Sequence, residues 1–240
     1  MEQVLEKIIG VAPEELVNYF SSGETLKSEG SRVNCLSFEE GKEYSKNMSQ
    51  FLDGEEMGLW VLNDSNDSNP YCYISKGPCA GAVIHYCHDP EPKIKFPTLD
   101  SFMLGLRSVV NNNQDVDDIE FKEDFRFDCE AEIGRLLQSD SDEYTNLICS
   151  YIDVASFLSK GLMEMLMKHE DFFLQESLAS WVAKNPKPEL LFVVEELENS
   201  SIEQVKREAK IARSKIARAR FDGYKVVHWS RDHGLMGNRE

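Results

Sequence analysis

The stretch LWVLNDSNDSNPYCYISKGPCAGAVIHYCHDP, residues 59–90, decides the fold, because the helical spacing of the earlier residues gives way there to short extended runs. These runs are rich in β-branched and aromatic residues, and turn-forming Asn, Asp, Ser, Gly and Pro residues separate them. Pro90 and Pro92 stop the last run, since proline cannot donate to a strand ladder. The stretch predicts a meandering, antiparallel-rich sheet. Its three predicted strands lie at 59–62, 71–75 and 82–88.

Helices are predicted before and after this sheet in the sequence. Short apolar stripes near the start of the sequence indicate two N-terminal helices. Ser37 and Glu40 have the spacing of a capping box, which predicts a helix at 38–52. Asp100 predicts the cap of a further helix that closes this part of the chain. Residues 1–112 are therefore predicted to form an α+β domain of N-terminal helices and an antiparallel-rich sheet.

The C-terminal part is predicted to be all-α. Its apolar residues keep helical spacing over 140–221, and a shift of 31 residues superimposes two helical hairpins. This pattern indicates a helical hairpin repeat region, and a plain bundle of helices with similar lengths is the alternative. Residues 113–139 are predicted to be an acidic connector and 222–240 a tail. The superimposed pairs are Met163 with Val194, Leu166 with Leu197, Leu174 with Val205, Leu178 with Ala209 and Trp181 with Ala212.

The charge balance restricts the partners that the protein can attract. The chain has 43 acidic against 26 basic residues and a formal net charge of −17. Such a protein repels phosphates and anionic lipids, so we expect a basic protein partner and neither nucleic acid nor a membrane. Residues 202–240 reverse the balance, with ten basic and five acidic residues. Solvated cations on an amphipathic helix are one interpretation of this basic segment, and a nucleic-acid surface is the other.

The sequence also predicts a cytoplasmic protein. Its apolar runs are far shorter than the ~18–20 residues of a membrane helix. Its first residues lack the basic start and the apolar stretch of a secretory signal. Reduced thiols are therefore expected at the six cysteines.

Cys79, His85 and Cys87 are weak candidates for a metal site. Zinc favours cysteine pairs such as Cys-x-x-Cys, whose thiolates converge on one ion, whereas the cysteines here are seven and eight residues apart. Buried structural thiols are the alternative interpretation, and no cofactor is expected. The sequence lacks the nucleophile elbow, the His-Glu-x-x-His motif and the phosphate-binding loop, so we do not expect an enzyme.

Two acidic segments are candidates for a partner-binding surface. One is the polar turn at 64–69, whose aspartates would present negative charge to basic side chains. The other is 115–128, the densest acidic segment of the chain. Solvated turn and connector residues are the alternative interpretation of both segments. The candidate residues are Asp64, Asp67, Asp115, Asp117, Asp118 and Glu120.

The chain contains, in this order, Trp60-Val-Leu, Asn69-Pro-Tyr-Cys-Tyr-Ile74, Gly81-Ala-Val-Ile-His-Tyr-Cys-His-Asp89 and Leu99-Asp-Ser-Phe-Met-Leu104. This order resembles the SUKH superfamily (Smi/Knr-type), which is named partly for a fungal regulator of cell-wall glucan synthesis. The resemblance covers about residues 1–112, and the turn at 64–69 lacks the glycines usual in the family. The segment at 205–209 is similar to the second helix of a HEAT-type repeat.

The resemblance implies a non-enzymatic protein-binding module. Bacterial members of the family are largely immunity proteins that bind and neutralise a toxin, often a nuclease. Because a nuclease binds phosphates with a basic cleft, an acidic antagonist would match its potential. Two alternatives stay open: a housekeeping adaptor that docks partners on the helical repeat, and an enzyme or zinc protein that uses His85 and Cys87.

Overall fold

The computed structural model describes residues 1–23, 25–64, 68–87, 92–119, 121, 123–139 and 142–232. The chain divides into two compact units, Met1–Phe157 and Leu158–Glu240. The first unit combines helices with antiparallel sheets and the second is helical, so the mixed α+β class is confirmed, with helices dominating.

The first unit contains a meander of four strands. They lie side by side in chain order, and each pairs antiparallel with its neighbour. A separate two-stranded hairpin precedes them. The strands of the hairpin are β1 (Lys27–Ser28) and β2 (Val33–Asn34), and those of the meander are β3 (Leu59–Asn63), β4 (Tyr71–Ile74), β5 (Val83–His85) and β6 (Lys93–Phe96).

The meander differs from the predicted sheet at its last strands. The third strand ends at His85, and β6 is a fourth strand that the sequence did not predict. Pro92 was interpreted as a break, but β6 begins at the next residue, where the proline at its start removes no ladder bond. Ile94 and Phe96 are buried on this strand, which has only four residues and therefore gives a short alternating pattern.

The described residues of the first unit form seven α-helices besides the sheets. Ser37 and Glu40 form the predicted capping box at the start of α3. The predicted cap of α5 at Asp100 is wrong, because Thr98 is the cap and shares a capping box with Ser101. The helices are α1 (Glu2–Ile9), α2 (Glu14–Ser21), α3 (Phe38–Met48), α4 (Leu52–Met57), α5 (Leu99–Asn111), α6 (Glu130–Leu137) and α7 (Thr145–Val154).

An aromatic core fills the first unit. The Trp60 side chain is fully buried, and its ring stacks on Phe38 with a centroid distance of 5.3 Å and meets Phe20 edge-on. Tyr71 on β4 and Phe102 on α5 join the same core, with ring centroids 5.1 Å apart. These contacts place α2, α3 and α5 against the sheet.

The boundary between the units lies at 157/158, whereas the sequence placed an acidic connector at 113–139 and the start of the helical region at 140. Residues of the expected connector are buried in the first unit, with Val116 and Ile119 in its main core. Ile133 and Leu136 bury one face of α6. Apolar residues recur throughout this segment, mostly two to four residues apart, so its acidic side chains belong to a folded part of the first unit.

The second unit contains four helices, α8 (Lys160–Met167), α9 (Phe172–Lys184), α10 (Leu191–Leu197) and α11 (Glu203–Asp232). The helices pack as two hairpins, α8 with α9 and α10 with α11, and α8 also contacts α10 while α9 contacts α11. Both members of each pair superimposed by the shift of 31 residues are buried. The expected tail at 222–240 is helical as far as Asp232 because α11 continues into it. No helix of the described residues is long and apolar enough to cross a membrane.

Candidate functional site

Asp64 lies at the end of β3 and is only 6% exposed. Its backbone N–H donates to the Asn34 carbonyl over 3.3 Å, and the Asn34 side chain donates to the Asp64 carbonyl over 3.0 Å. The charge of its carboxylate raises the pKa of the Tyr44 hydroxyl, with which it also shares a hydrogen bond. Asp64 is therefore a buried residue whose hydrogen bonds hold this part of the loop together. The second turn candidate, Asp67, lies outside the described residues.

The structure brings Asp115, Asp117 and Asp118 together on a 3₁₀ turn after α5. The Arg32 guanidinium donates to both carboxylate oxygens of Asp115, over 2.8 and 2.7 Å, and also to Asp117. These bonds from Arg32 lower the pKa of Asp115 to about 2. Asp118 is exposed on the same turn, so the turn holds three carboxylates, of which Arg32 contacts two. Glu120 lies outside the described residues.

The three weak metal candidates do not form one site. Cys79 lies beside Cys129, and Cys87 lies beside His85. The Cys79 Sγ lies 3.7 Å from the Sγ of Cys129, and this contact together with burial raises the pKa of the Cys79 thiol. The Cys87 Sγ lies 3.2 Å from Nδ1 of His85, whose ring stacks on Tyr71 with a centroid distance of 4.3 Å. Among the described residues no three His, Cys, Asp or Glu side chains are placed to hold a metal ion. His88 lies outside the described residues.

A pocket of about 490 Å³ beside α4 was not predicted from the sequence. The predicted helix at 38–52 ends early, at Met48, and a second helix, α4, begins at Leu52 after a tight bend beside the pocket. At this bend a Cβ on Gly54 would lie 2.0 Å from the carbonyl oxygen of Met48, so only glycine allows the close approach. The signal in the sequence is Gly54, which lies just beyond the end of the predicted helix. The pocket is lined by Gln50, Phe51, Leu52, Asp53, Glu55, Tyr86 and Glu143.

Asp53 gives this pocket an unusual electrostatic character. The residue is 8% exposed, and its Oδ1 has no hydrogen-bond partner in the described part of the chain. Its Oδ2 lies 3.5 Å from the Tyr86 hydroxyl, which makes a weak hydrogen bond at best. Burial disfavours the charged form and raises the pKa of Asp53 to about 6, while burial and this neighbouring carboxylate raise the pKa of Tyr86 to about 12.

The rim of the pocket adds further negative charge. Glu55 and Glu143 are exposed there, and none of the described residues that line the pocket is basic. Phe51 exposes 52% of its surface at the same rim. A buried carboxylate without a cation, two acidic rim residues and an exposed aromatic ring favour a positively charged ligand.

We compared the chain with models of protein families, with curated proteins and with solved structures, and none of the three comparisons gave a significant match.

Proposed function

We propose that this chain is a non-enzymatic protein-binding module, an immunity-type antagonist that binds and neutralises a basic toxin such as a nuclease. The resemblance of its strand order to the SUKH superfamily suggests this class of function. The mixed α+β first unit, with an antiparallel sheet between helices, is compatible with it.

The observation that carries the proposal is the acidic turn of Asp115, Asp117 and Asp118. Arg32 offsets part of the negative charge of this turn. The chain as a whole has a formal net charge of −17, so its potential adds to that of the turn. An acidic surface with excess negative charge accelerates the approach of a basic partner, because complementary potentials steer the two molecules before contact.

The proposal predicts that a basic toxin is encoded beside this chain, and that protein is used to test it. We expect co-expression to protect cells from that toxin, and the association rate of the purified proteins to fall steeply with added salt. Absence of protection, or an association rate that salt leaves unchanged, would contradict the proposed function.

A matched pair of variants locates the surface. The double variant Asp117→Asn and Asp118→Asn removes two charges from the acidic turn and leaves the Arg32–Asp115 pair in place. Its control, Glu195→Gln and Glu196→Gln, removes two exposed charges from α10 in the second unit. We expect the first variant to slow association and the control to leave it nearly unchanged.

The packing of the second unit favours a second candidate, an adaptor with a HEAT-like docking surface. One helical hairpin is the unit of such repeats, and the second unit contains two that contact each other. Phe173 on α9 and Ile211 on α11 are exposed apolar residues of this unit. If Phe173→Gln and Ile211→Gln abolish binding of a partner that tolerates the variants of the acidic turn, the adaptor is the better description.

A further inference from the structure

The pocket beside α4 contains a carboxylate that the described residues leave without a counter-ion. Removing a charged carboxylate from water costs several kcal/mol unless a cation or a set of hydrogen bonds replaces the water. Asp53 has one weak hydrogen bond, from Tyr86, and its Oδ1 has none. A side chain in this state either takes up a proton or binds a cation that enters from outside.

We propose that the pocket receives the guanidinium group of an arginine side chain on the basic partner, with Asp53 as its anion. The inference rests on the proposed function, because it identifies the group by which the partner would be recognised. The Oδ2 atom of Asp53 has only the weak bond from Tyr86, so it can accept a charge-assisted bond from a guanidinium N–H.

Arginine fits this pocket better than lysine for two reasons. A guanidinium is planar and weakly hydrated, so it enters a partly dry site and stacks on an aromatic ring more readily than a compact ammonium. Phe51 supplies an exposed ring at the rim. A volume of about 490 Å³ also holds a long side chain together with part of the backbone that presents it.

The acidic residues at the rim favour a positively charged side chain in general. Glu55 and Glu143 add negative potential there, one from α4 and one from the 3₁₀ turn before α7. An arginine would approach along this potential and then bond Asp53 where water is scarce, which strengthens the charge-assisted bonds.

The test uses small probes and the full chain. N-acetyl-arginine amide is titrated into the ¹⁵N-labelled protein at constant ionic strength, and N-acetyl-citrulline amide, which has the same shape without the charge, is titrated in parallel. We expect arginine to shift the backbone amides around Asp53 and Tyr86 and citrulline to leave them in place. Equal shifts with both probes, or no shift with arginine, would overturn the proposal.

Matched variants identify the anion. Asp53→Asn keeps the shape of the side chain and should abolish the arginine shifts, whereas Asp100→Asn removes an exposed charge on α5 and should keep them. Phe51→Leu keeps an apolar rim without the ring and should weaken the shifts in part. Arginine binding that survives in Asp53→Asn would overturn the assignment.

The outcome for the pocket can be separated from the outcome for the proposed function. With the toxin itself, Asp53→Asn should weaken affinity by at least about tenfold through faster dissociation, and Asp100→Asn should not. Protection from the toxin without any effect of Asp53→Asn would retain the function and overturn the pocket. Charge-specific arginine binding at Asp53 without protection would support the pocket as a guanidinium site and contradict the toxin antagonist.

Discussion

The two units of the chain bury different kinds of side chain. Every buried polar or charged side chain among the described residues belongs to the first unit, whereas the buried side chains described in the second unit are apolar apart from the Trp181 indole. The first unit also contains the aromatic cluster around Trp60. The buried polar residues are Ser31, Ser45, Asp53, Asn63, Asp64, Ser75 and Ser150.

Most of these polar side chains connect secondary-structure elements. The Ser45 hydroxyl donates to the Gly41 carbonyl over 2.6 Å and accepts from the Val61 N–H over 2.9 Å, which ties α3 to β3. The Ser150 hydroxyl donates to the Pro92 carbonyl over 2.9 Å and ties α7 to the start of β6. Asp53 and Ser31 are different, because the Oδ1 of Asp53 and the hydroxyl of Ser31 have no partner among the described residues. A carboxylate that can carry a charge costs more to bury without bonds than a hydroxyl does, so Asp53 is the residue that indicates a binding site.

The largest effect is expected from the aromatic core of the first unit. Replacing Trp60 with alanine removes a fully buried ring and should lower the free energy of unfolding by about 3–5 kcal/mol. Phe173→Ala in the second unit should cost under about 1 kcal/mol, since that ring is 42% exposed. Urea unfolding followed by circular dichroism measures both changes. Equal losses would show that burial does not distinguish these two aromatic residues.

Asp53→Asn should stabilise the protein at neutral pH by up to about 2 kcal/mol, because it removes a buried charge without a counter-ion. The folded-state pKa of Asp53, about 6, lies above the ordinary value of 3.8. Protonation therefore favours the folded state, and this stability is present below pH ~4 and lost as the pH rises through about 6.

Unfolding free energies of wild type and Asp53→Asn between these two pH values check this prediction. Glu55, Tyr86 and Glu143 also face the pocket, and they are present in both proteins, so the difference isolates Asp53. A difference that does not change with pH would mean that the carboxylate is neutralised by a partner within the chain.

A smaller effect is expected at the bridge between α3 and β3. Ser45→Ala leaves the buried Val61 N–H without its acceptor and should cost about 1–2 kcal/mol. Ser214→Ala, on the exposed face of α11, should be neutral or slightly stabilising because alanine favours helix. Hydrogen exchange resolved by peptide would show faster exchange in β3 for the first variant. An unchanged β3 would mean that water replaces the hydroxyl.

The features that were predicted correctly from the sequence are those that the local spacing of residues determines. The capping box of Ser37 and Glu40 is confirmed because both partners lie within one helical turn. The buried positions of the second unit, such as Leu174 and Leu178, follow from helical spacing in an apolar interior. The acidic turn was found as a cluster of charges, although its attachment to Arg32 was not, because Arg32 lies far away in the sequence.

The missed features depend on contacts between distant residues. The pocket requires the bend that Gly54 permits, together with Tyr86 and Glu143 from later elements. Cys129 is a partner of Cys79 only after α6 has packed on the first unit. Asp64 in a polar turn resembles a solvated residue, but Tyr44 and Asn34 enclose it. The spacing of residues along a single sequence contains no information on contacts between such distant residues.

The meander of β3 to β6 affects how the chain reaches its fold. Its strands follow one another with loops of seven or eight residues, and each pairs with the strand that precedes it. Closing such short loops costs little entropy, and low contact order speeds folding. We therefore expect the sheet to assemble strand by strand as it leaves the ribosome, before the helices of the second unit have been synthesised.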